Sequence, residues 1–359
     1  MKKRIIFICH TCFHILISLE KCLVDKLDAD ILLSDTVQGC QELALNIDKM
    51  HIFGSVRRIE ELRETEQYFN DTVLKHRNLK YVFMKHFDKG VLKELCQYDD
   101  IYLFNDAFLS GAYLQNSNIK YHLIEESTDF MKGADQPSHV PLTDRKGIFD
   151  KPWHKKWSKS IFMYHESVYF HDKRPKCVMD FEVNDKNAVP DWIEIPIIEN
   201  SRIQLMELLT TDDKKNIIKC FMDENTYQML ADIHQTKIMR KKALLITQPY
   251  GVTEWCDNKK LVRYYNELIQ ELSREYTVFV KPHPGDKNVY NKIDNVCFLE
   301  RYWPIEILVY NDSIQFDLGI TISSTSINLL TNVKEKIILG EQHLIDYLSK
   351  YTDGGVAGE

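Results

Sequence analysis

The stretch MKKRIIFICHTCFHILISL, residues 1–19, decides how the rest of the chain is read. A basic start ahead of apolar residues has the outline of a secretory signal peptide. His10, Thr11 and His14 interrupt the apolar run, however, and no small-residue cleavage site follows. The segment reads instead as a strand, IIFICH, that turns directly into a helix. The same rhythm then repeats. Apolar β-rich runs recur at ADILLS (29–34), DIYLFN (100–105) and KYHLIEE (120–126), with helical segments such as 38–48 and 59–77 between them. From about 137 to 190 Pro, His and Lys become frequent and short extended runs replace the helices. Helical periodicity returns over 201–235, and strands follow at KALLITQ (242–248), YTVFVKP (276–282), VCFLE (296–300), LGITIS (318–323) and KIILG (336–340). Alternation of this kind builds parallel sheets covered by helices. With 359 residues the chain has room for two such domains, expected at 1–185 and 186–359.

Composition narrows the function. A hydrophobic fraction of 44% and a charged fraction of 28% are those of an ordinary folded protein, and the net charge of -7 argues against general nucleic-acid binding. No apolar run approaches the roughly 20 residues that cross a bilayer. The Lys/Trp segment KPWHKKWSKS (151–160) reads as a loop, or as a surface for an anionic glycan or lipid headgroups. Nine scattered cysteines suit buried thiols in a reducing cytosol. Cys9 and Cys12 form a CxxC, but no second pair at zinc spacing completes a metal site.

Ligands of open α/β sheets bind beyond the carboxyl ends of the strands. Those positions carry Cys9 to His14, Asn105 and Asp106, Glu125 to Thr128, Gln248 to Glu254, Lys281 to Asp286, and Ser323 to Ser326. In YTVFVKPHPGD (276–286) a strand ends in Lys281, and His283 sits between Pro282 and Pro284. The prolines fix the backbone and remove donors, which aims the histidine. In LGITISSTSINLL (318–330) a strand leads through Ser323, Ser324, Thr325 and Ser326 into an expected helix, whose free N–H groups and dipole suit a phosphate. Neither a GxGxxG after the first strand nor a P-loop is present.

The combination of FICHTCFHILIS, LIEEST, KPHP and ITISSTS resembles the bacterial sialyltransferases of glycosyltransferase family 52 and the related capsule polysialyltransferases. Their shared motifs are an acidic D/E-D/E-G element, a His-Pro element and a Ser-Ser/Thr element. The resemblance implies a GT-B fold, two Rossmann-like domains with a cleft between them. It further implies inverting, metal-independent transfer of sialic acid from CMP-sialic acid to a glycan hydroxyl of a capsule or lipooligosaccharide. On it His283 meets the nucleotide phosphate and acts as the leaving-group acid. Ser323 and Ser324, with Thr325 beside them, bind the phosphate, and Glu125 or Glu126 is the base. The third position of the acidic element is Ser127 rather than Gly. The base can instead lie in the second domain, where GVTEWCD offers Glu254 and Asp257.

Chemistry alone supports the same parts. The reaction needs a carboxylate near the acceptor hydroxyl and donors for the departing phosphate. A histidine that protonates near neutral pH fits, and Lys281 adds charge. The donor's own carboxylate and good leaving group remove the need for Mg²⁺, so neither a metal nor a cofactor is expected. Blander readings stand beside these: a turn around HP, a solvated acidic loop at 125–126, and packing for His10 and His14, whose i, i+4 spacing otherwise allows donor or acceptor contact together with Thr11. Trp303, Pro304 and Glu306 in RYWPIEIL either line the nucleoside pocket or cap a helix. Expected partners are a nucleotide-sugar donor and an oligosaccharide or glycolipid acceptor. The expected location is the cytoplasm or the cytoplasmic face of the inner membrane, with a homodimer left open. A GT-B enzyme using another nucleotide sugar, or a non-catalytic glycan-binding scaffold, are the alternatives.

Overall fold

The computed structural model describes residues 3–63, 90–106, 108–126, 175–223, 225–228, 230, 240–250 and 257–350. The Lys/Trp segment 151–160, Ser127 and Glu254 lie outside them. The chain divides into two compact units, Met1–Cys220 and Phe221–Glu359.

The first unit runs β1 (Ile5–Cys9), α1 (Cys12–Val24), β2 (Ala29–Ser34), α2 (Cys40–Lys49), β3 (Val56–Ile59), α3 (Gly90–Glu94), β4 (Asp100–Leu103), α4 (Leu109–Asn116), β5 (Tyr121–Ile124), β6 (Val178–Val183), β7 (Ile197–Glu199), α5 (Arg202–Leu208) and α6 (Thr211–Phe221). Its strands form one sheet in the order β3-β2-β1-β4-β5-β6-β7, every pair parallel. The unbroken apolar sequence of β1 follows from this position, because a central parallel strand is buried on both faces. Thr11 starts α1 by accepting the His14 N–H with its hydroxyl, a standard N-cap. Gly111 lets α4 pack against the loop that leads into it from β4: a Cβ there would stand 2.2 Å from the Asp106 carbonyl oxygen.

The second unit runs β8 (Lys241–Ile246), α7 (Asn258–Leu272), β9 (Tyr276–Lys281), β10 (Val296–Phe298), β11 (Phe316–Thr321), β12 (Val333–Ile338) and α8 (Glu341–Ser349), with 3-10 helices at Ile305–Tyr310 and Thr325–Leu329. The sheet order is β10-β9-β8-β11-β12, again all parallel. Leu261, Tyr264, Tyr265, Ile269 and Leu272 recur at helical spacing along α7 and pack on Ala243, Leu245, Val278 and Val280 of the sheet. Both sheets are thus of the doubly wound Rossmann type expected of a GT-B chain. The order reverses between β1 and β4 in the first sheet and between β8 and β11 in the second. In open α/β sheets, ligands bind beyond the carboxyl ends of strands at such a reversal.

The division at Cys220 lies later than the 185/186 boundary read from the sequence. The stretch that looked irregular contains β6, and β7, α5 and α6 follow it within the first unit. A buried ion cluster explains the difference. Glu182 on β6 accepts from Lys21 Nζ of α1 at 2.7 Å and from Arg202 of α5 at 2.8 Å, and Asn200 adds a third bond at 3.2 Å. Burial alone would raise the Glu182 carboxyl, but Arg202 and Lys21 outweigh it and hold it below its ordinary value. Removing the central anion would strand two buried cations. Glu182→Ala is therefore expected to cost about 3–5 kcal/mol of unfolding free energy, read by urea denaturation. A loss below about 1 kcal/mol would show that the cluster is effectively solvated.

Candidate functional site

At the carboxyl edge of the first sheet a single carboxylate gathers its neighbours. Glu61, only 2% exposed, lies beyond β3. Its Oε2 is 3.0 Å from His10 Nε2, its Oε1 accepts the Ser110 N–H at 2.7 Å, and the Ser34 hydroxyl bonds to it. Burial would raise this carboxyl, but His10, Ser34 and the Ser110 amide bring it down to about 2. The His10 ring also stacks on Phe108 at 4.3 Å, and the His10 N–H donates to His14 Nδ1 at 3.1 Å. Burial, then the proximity of His10, pushes the buried His14 well below the ordinary histidine value, so its ring is neutral and stacks on Phe104 at 4.4 Å. His10, Thr11 and His14 are thereby committed to the strand-to-helix turn. These bonds are to the protein, in line with the packing alternative that the sequence left open beside donor or acceptor contact.

The acidic pair separates into two environments. Glu125, 3% exposed, accepts the Asn184 N–H at 2.9 Å and gives its own N–H to the Glu182 carbonyl at 2.8 Å, joining β5 to the end of β6. Glu126 is half-buried, and its Oε2 accepts from Asn105 Nδ2 at 2.9 Å. Burial raises the Glu126 pKa above the ordinary carboxylate value, and Asn105 and His10 only partly offset this. A partly open carboxylate with a raised pKa, one strand from the switch point, has the properties of a general base. Asp257, the competing carboxylate among the described residues, caps α7 by accepting the Lys260 N–H at 3.0 Å. That bond lowers its pKa.

In the second unit the expected His-Pro element is built as a rigid turn beyond β9. The His283 N–H donates to Thr247 Oγ1 at 3.2 Å, and the Gly285 N–H donates to His283 Nδ1 at 3.0 Å. Thr247 passes its own hydrogen to Asp286 Oδ2 at 2.6 Å, and the buried Asp286 also accepts from Tyr290 and from the Asn288 N–H. With Nδ1 occupied as an acceptor, neutral His283 carries its proton on Nε2. Burial, then the Lys281 charge, lowers the His283 pKa, while Asp286 opposes them. This differs from a histidine readily protonated near neutrality. The ring is set to donate one hydrogen bond from its half-buried edge, with Pro284 half-buried beside it.

Other expected contacts face inward. Lys281 is 3% exposed, and its ammonium donates to the carbonyls of Arg301 at 2.9 Å and Pro282 at 3.2 Å, 4.8 Å from the Trp303 ring centroid. It contributes potential rather than direct contact. Glu306 is equally buried, bonded by the Ser326 hydroxyl, with its pKa raised by burial against Ser326 and Lys281. It braces the serine segment from behind. The expected helix after β11 is a five-residue 3-10 helix, Thr325–Leu329. It is too short for a useful dipole, so the expected helix N-terminal site is not formed there. Ser323 is exposed, Ser324 and Thr325 half-buried. Tyr250 spans this switch point, its hydroxyl bonded to Ser323 Oγ and donating to Glu341 at 3.2 Å.

Asn105 and Asp286 were among the positions read beyond strand ends, without a role assigned to either, whereas Glu61 and Thr247 were not singled out from the sequence. Asp286 closes the quoted PHPGD motif and Thr247 ends a strand run, so both had a local signal; Glu61 had none. The one Asp-x-Asp triplet, Asp28-Ala29-Asp30, lies at the amino end of β2, where Asp30 accepts from Tyr98. Among the described residues no three His, Cys, Asp or Glu side chains converge as a metal ion requires, and no helix is long and apolar enough to cross a membrane.

The sequence matches the family described as Alpha-2,8-polysialyltransferase (POLYST) over residues 5–334. The chain belongs to the alpha-2,8-polysialyltransferase family. It is therefore a glycosyltransferase of the sialyltransferase type. No curated protein matches this polysialyltransferase-family chain. Among solved structures it is similar to the Methanocaldococcus jannaschii UDP-GlcNAc 2-epimerase in complex with UDP-GlcNAc and UDP, at 12% identity and TM-score 0.47, covering 99% of this chain and 94% of that one. It is also similar to Arabidopsis thaliana UGT89C1 complexed with UDP, at 9% identity and TM-score 0.46, covering 91% and 77%. These values are too low for residues to be matched between the chains.

The turn geometry fixes an observable. In ¹⁵N spectra of the polysialyltransferase-family protein, His283 is expected as the Nε2–H tautomer with a titration midpoint below the ordinary value of about 6.5. An Nδ1–H tautomer, or a midpoint above that value, would contradict the Gly285 bond.

Proposed function

We propose that this chain transfers sialic acid from CMP-sialic acid to a glycan hydroxyl, with inversion and without a metal ion or cofactor. The observation that carries the reading is the unequal acidic pair, in which Glu125 is a structural acceptor and Glu126 keeps a raised pKa. In the proposed reaction Glu126 takes the acceptor hydroxyl proton as the new carbon–oxygen bond forms. The bond from the sugar carbon to the CMP phosphate oxygen breaks, and CMP departs with the electron pair.

His283 then holds the departing phosphate through Nε2–H, with Ser323, Ser324 and Thr325 as further donors. This revises the acid role carried by the resemblance. A neutral imidazole whose Nδ1 already accepts a bond has no labile proton to give, and giving up Nε2–H would leave an imidazolate. A phosphate monoester with a second pKa of about 6 needs no proton to leave near neutrality. Donation without proton transfer is therefore sufficient. The family description supports a sialylated acceptor. The proposed setting is a bacterial capsule or lipooligosaccharide assembled at the cytoplasmic face of the inner membrane.

Calorimetric titration tests the donor. CMP is expected to bind in preference to UDP and GDP, and His283→Ala to weaken CMP about 10- to 100-fold, the range for one bond to a charged group. Preference for UDP or GDP would move the reading to another nucleotide sugar, and no nucleotide binding would overturn it.

Glu126→Gln tests the base. A carboxyl whose pKa is raised by folding costs stability once pH exceeds its unfolded value of about 4.3, so at neutral pH the neutral amide removes that cost. The variant is expected to lose about 10²- to 10⁴-fold in kcat with an unchanged or higher melting temperature. In the parent protein the acid limb of kcat/KM should fall above the ordinary carboxylate range as pH drops through the raised pKa. Full turnover in the variant would remove Glu126 from the mechanism.

A further inference from the structure

We infer that Asn105 is a positioning residue for the Glu126 carboxylate, an inference that rests on Glu126 being the base. Asn105 is the second residue beyond β4, at the point where the strand order of the first sheet reverses, and is 9% exposed. Its Nδ2 donates to Glu126 Oε2 at 2.9 Å. The two residues follow adjacent strands, β4 and β5, so the bond joins the loops that leave neighbouring strands. Among the described residues, the other groups near Glu126 have engagements of their own. Glu125 directs its carboxylate to the Asn184 N–H. His14, on α1, is neutral, and the Glu126 backbone lies toward its ring. His10, beyond β1, bears on Glu126 as a charge while its own Nε2 is taken by Glu61 and Ser110.

An amide donor at one carboxylate oxygen does two things. It holds the carboxylate plane, which fixes the direction in which the group meets an incoming hydroxyl. It also favours the charged form, which offsets part of the burial penalty and keeps the base usable near neutrality. A Gln, one methylene longer, or a Lys would not fill the same short span.

The experiment combines a titration and a rate. With ¹³C-carboxyl glutamate incorporated, the Glu126 resonance is identified by its loss in Glu126→Gln, and its midpoint is compared in Asn105→Ala and the isosteric Asn105→Asp. Both are expected to move the midpoint up by about one unit, Asp further than Ala because it sets a like charge against Glu126. The acid limb of CMP release from CMP-sialic acid, with α2,8-linked trisialic acid as acceptor, should move with it, and kcat should fall about 10- to 100-fold. A lowered melting temperature with an unmoved Glu126 midpoint would make Asn105 structural only and overturn the inference. A moved midpoint with undiminished turnover in Glu126→Gln would instead overturn the assignment of the base.

Discussion

The first sheet depends on one buried carboxylate. Parallel strands end side by side at one edge, and the loops leaving them must meet there without water to satisfy their polar groups. Glu61 meets that constraint by receiving His10, Ser34 and the Ser110 amide, which come from the ends of β1 and β2 and the start of α4. Because His10 is fixed by this bond, its N–H can be given to His14, and because His14 accepts it, that ring stays neutral against Phe104. The environment of Glu126 follows from this sequence of commitments, since it lies against His14 and is influenced by His10.

Similar residues take opposite tasks according to what their backbone neighbours demand. Glu125 and Glu126 are adjacent, but the strand alternation sends one to the β6 connection and the other to Asn105. His14 and His283 each accept a backbone N–H at Nδ1. The difference is exposure: His14 is fully enclosed, whereas His283 keeps an accessible edge. Lys281 and Glu306, both charged and both next to the motifs, lie inward and act on His283 and the serines only through potential and bracing.

Much of this was legible in the sequence. Apolar runs of β-branched residues marked β1, β2, β4, β5 and all five strands of the second sheet, because burial on both faces leaves a continuous signal. The short edge strands β3 and β7 have weak patterns, VRRI and IIE, and β6 carries Asp180 and Glu182, so its polar content concealed a strand. Motif residues were readable as positions but not as directions. Whether Lys281 pointed outward, whether Thr11 bound a ligand or capped α1, and which nitrogen of His283 held the proton all depend on contacts distant in sequence. Glu61 was invisible for the same reason: its partners are His10, Ser34 and Ser110.

The Glu182 cluster has a practical bearing on dissecting the molecule. Its three charged members are drawn from positions 21, 182 and 202, so the last arrives well after the final strand residue it serves. A first half produced only to residue 185 would omit β7, expose the flank of β6, and leave Glu182 with Lys21 alone. One produced to residue 220 retains Arg202 and Asn200 and closes the sheet. The natural cut for making either half alone is therefore set by a buried guanidinium and not by the last long strand.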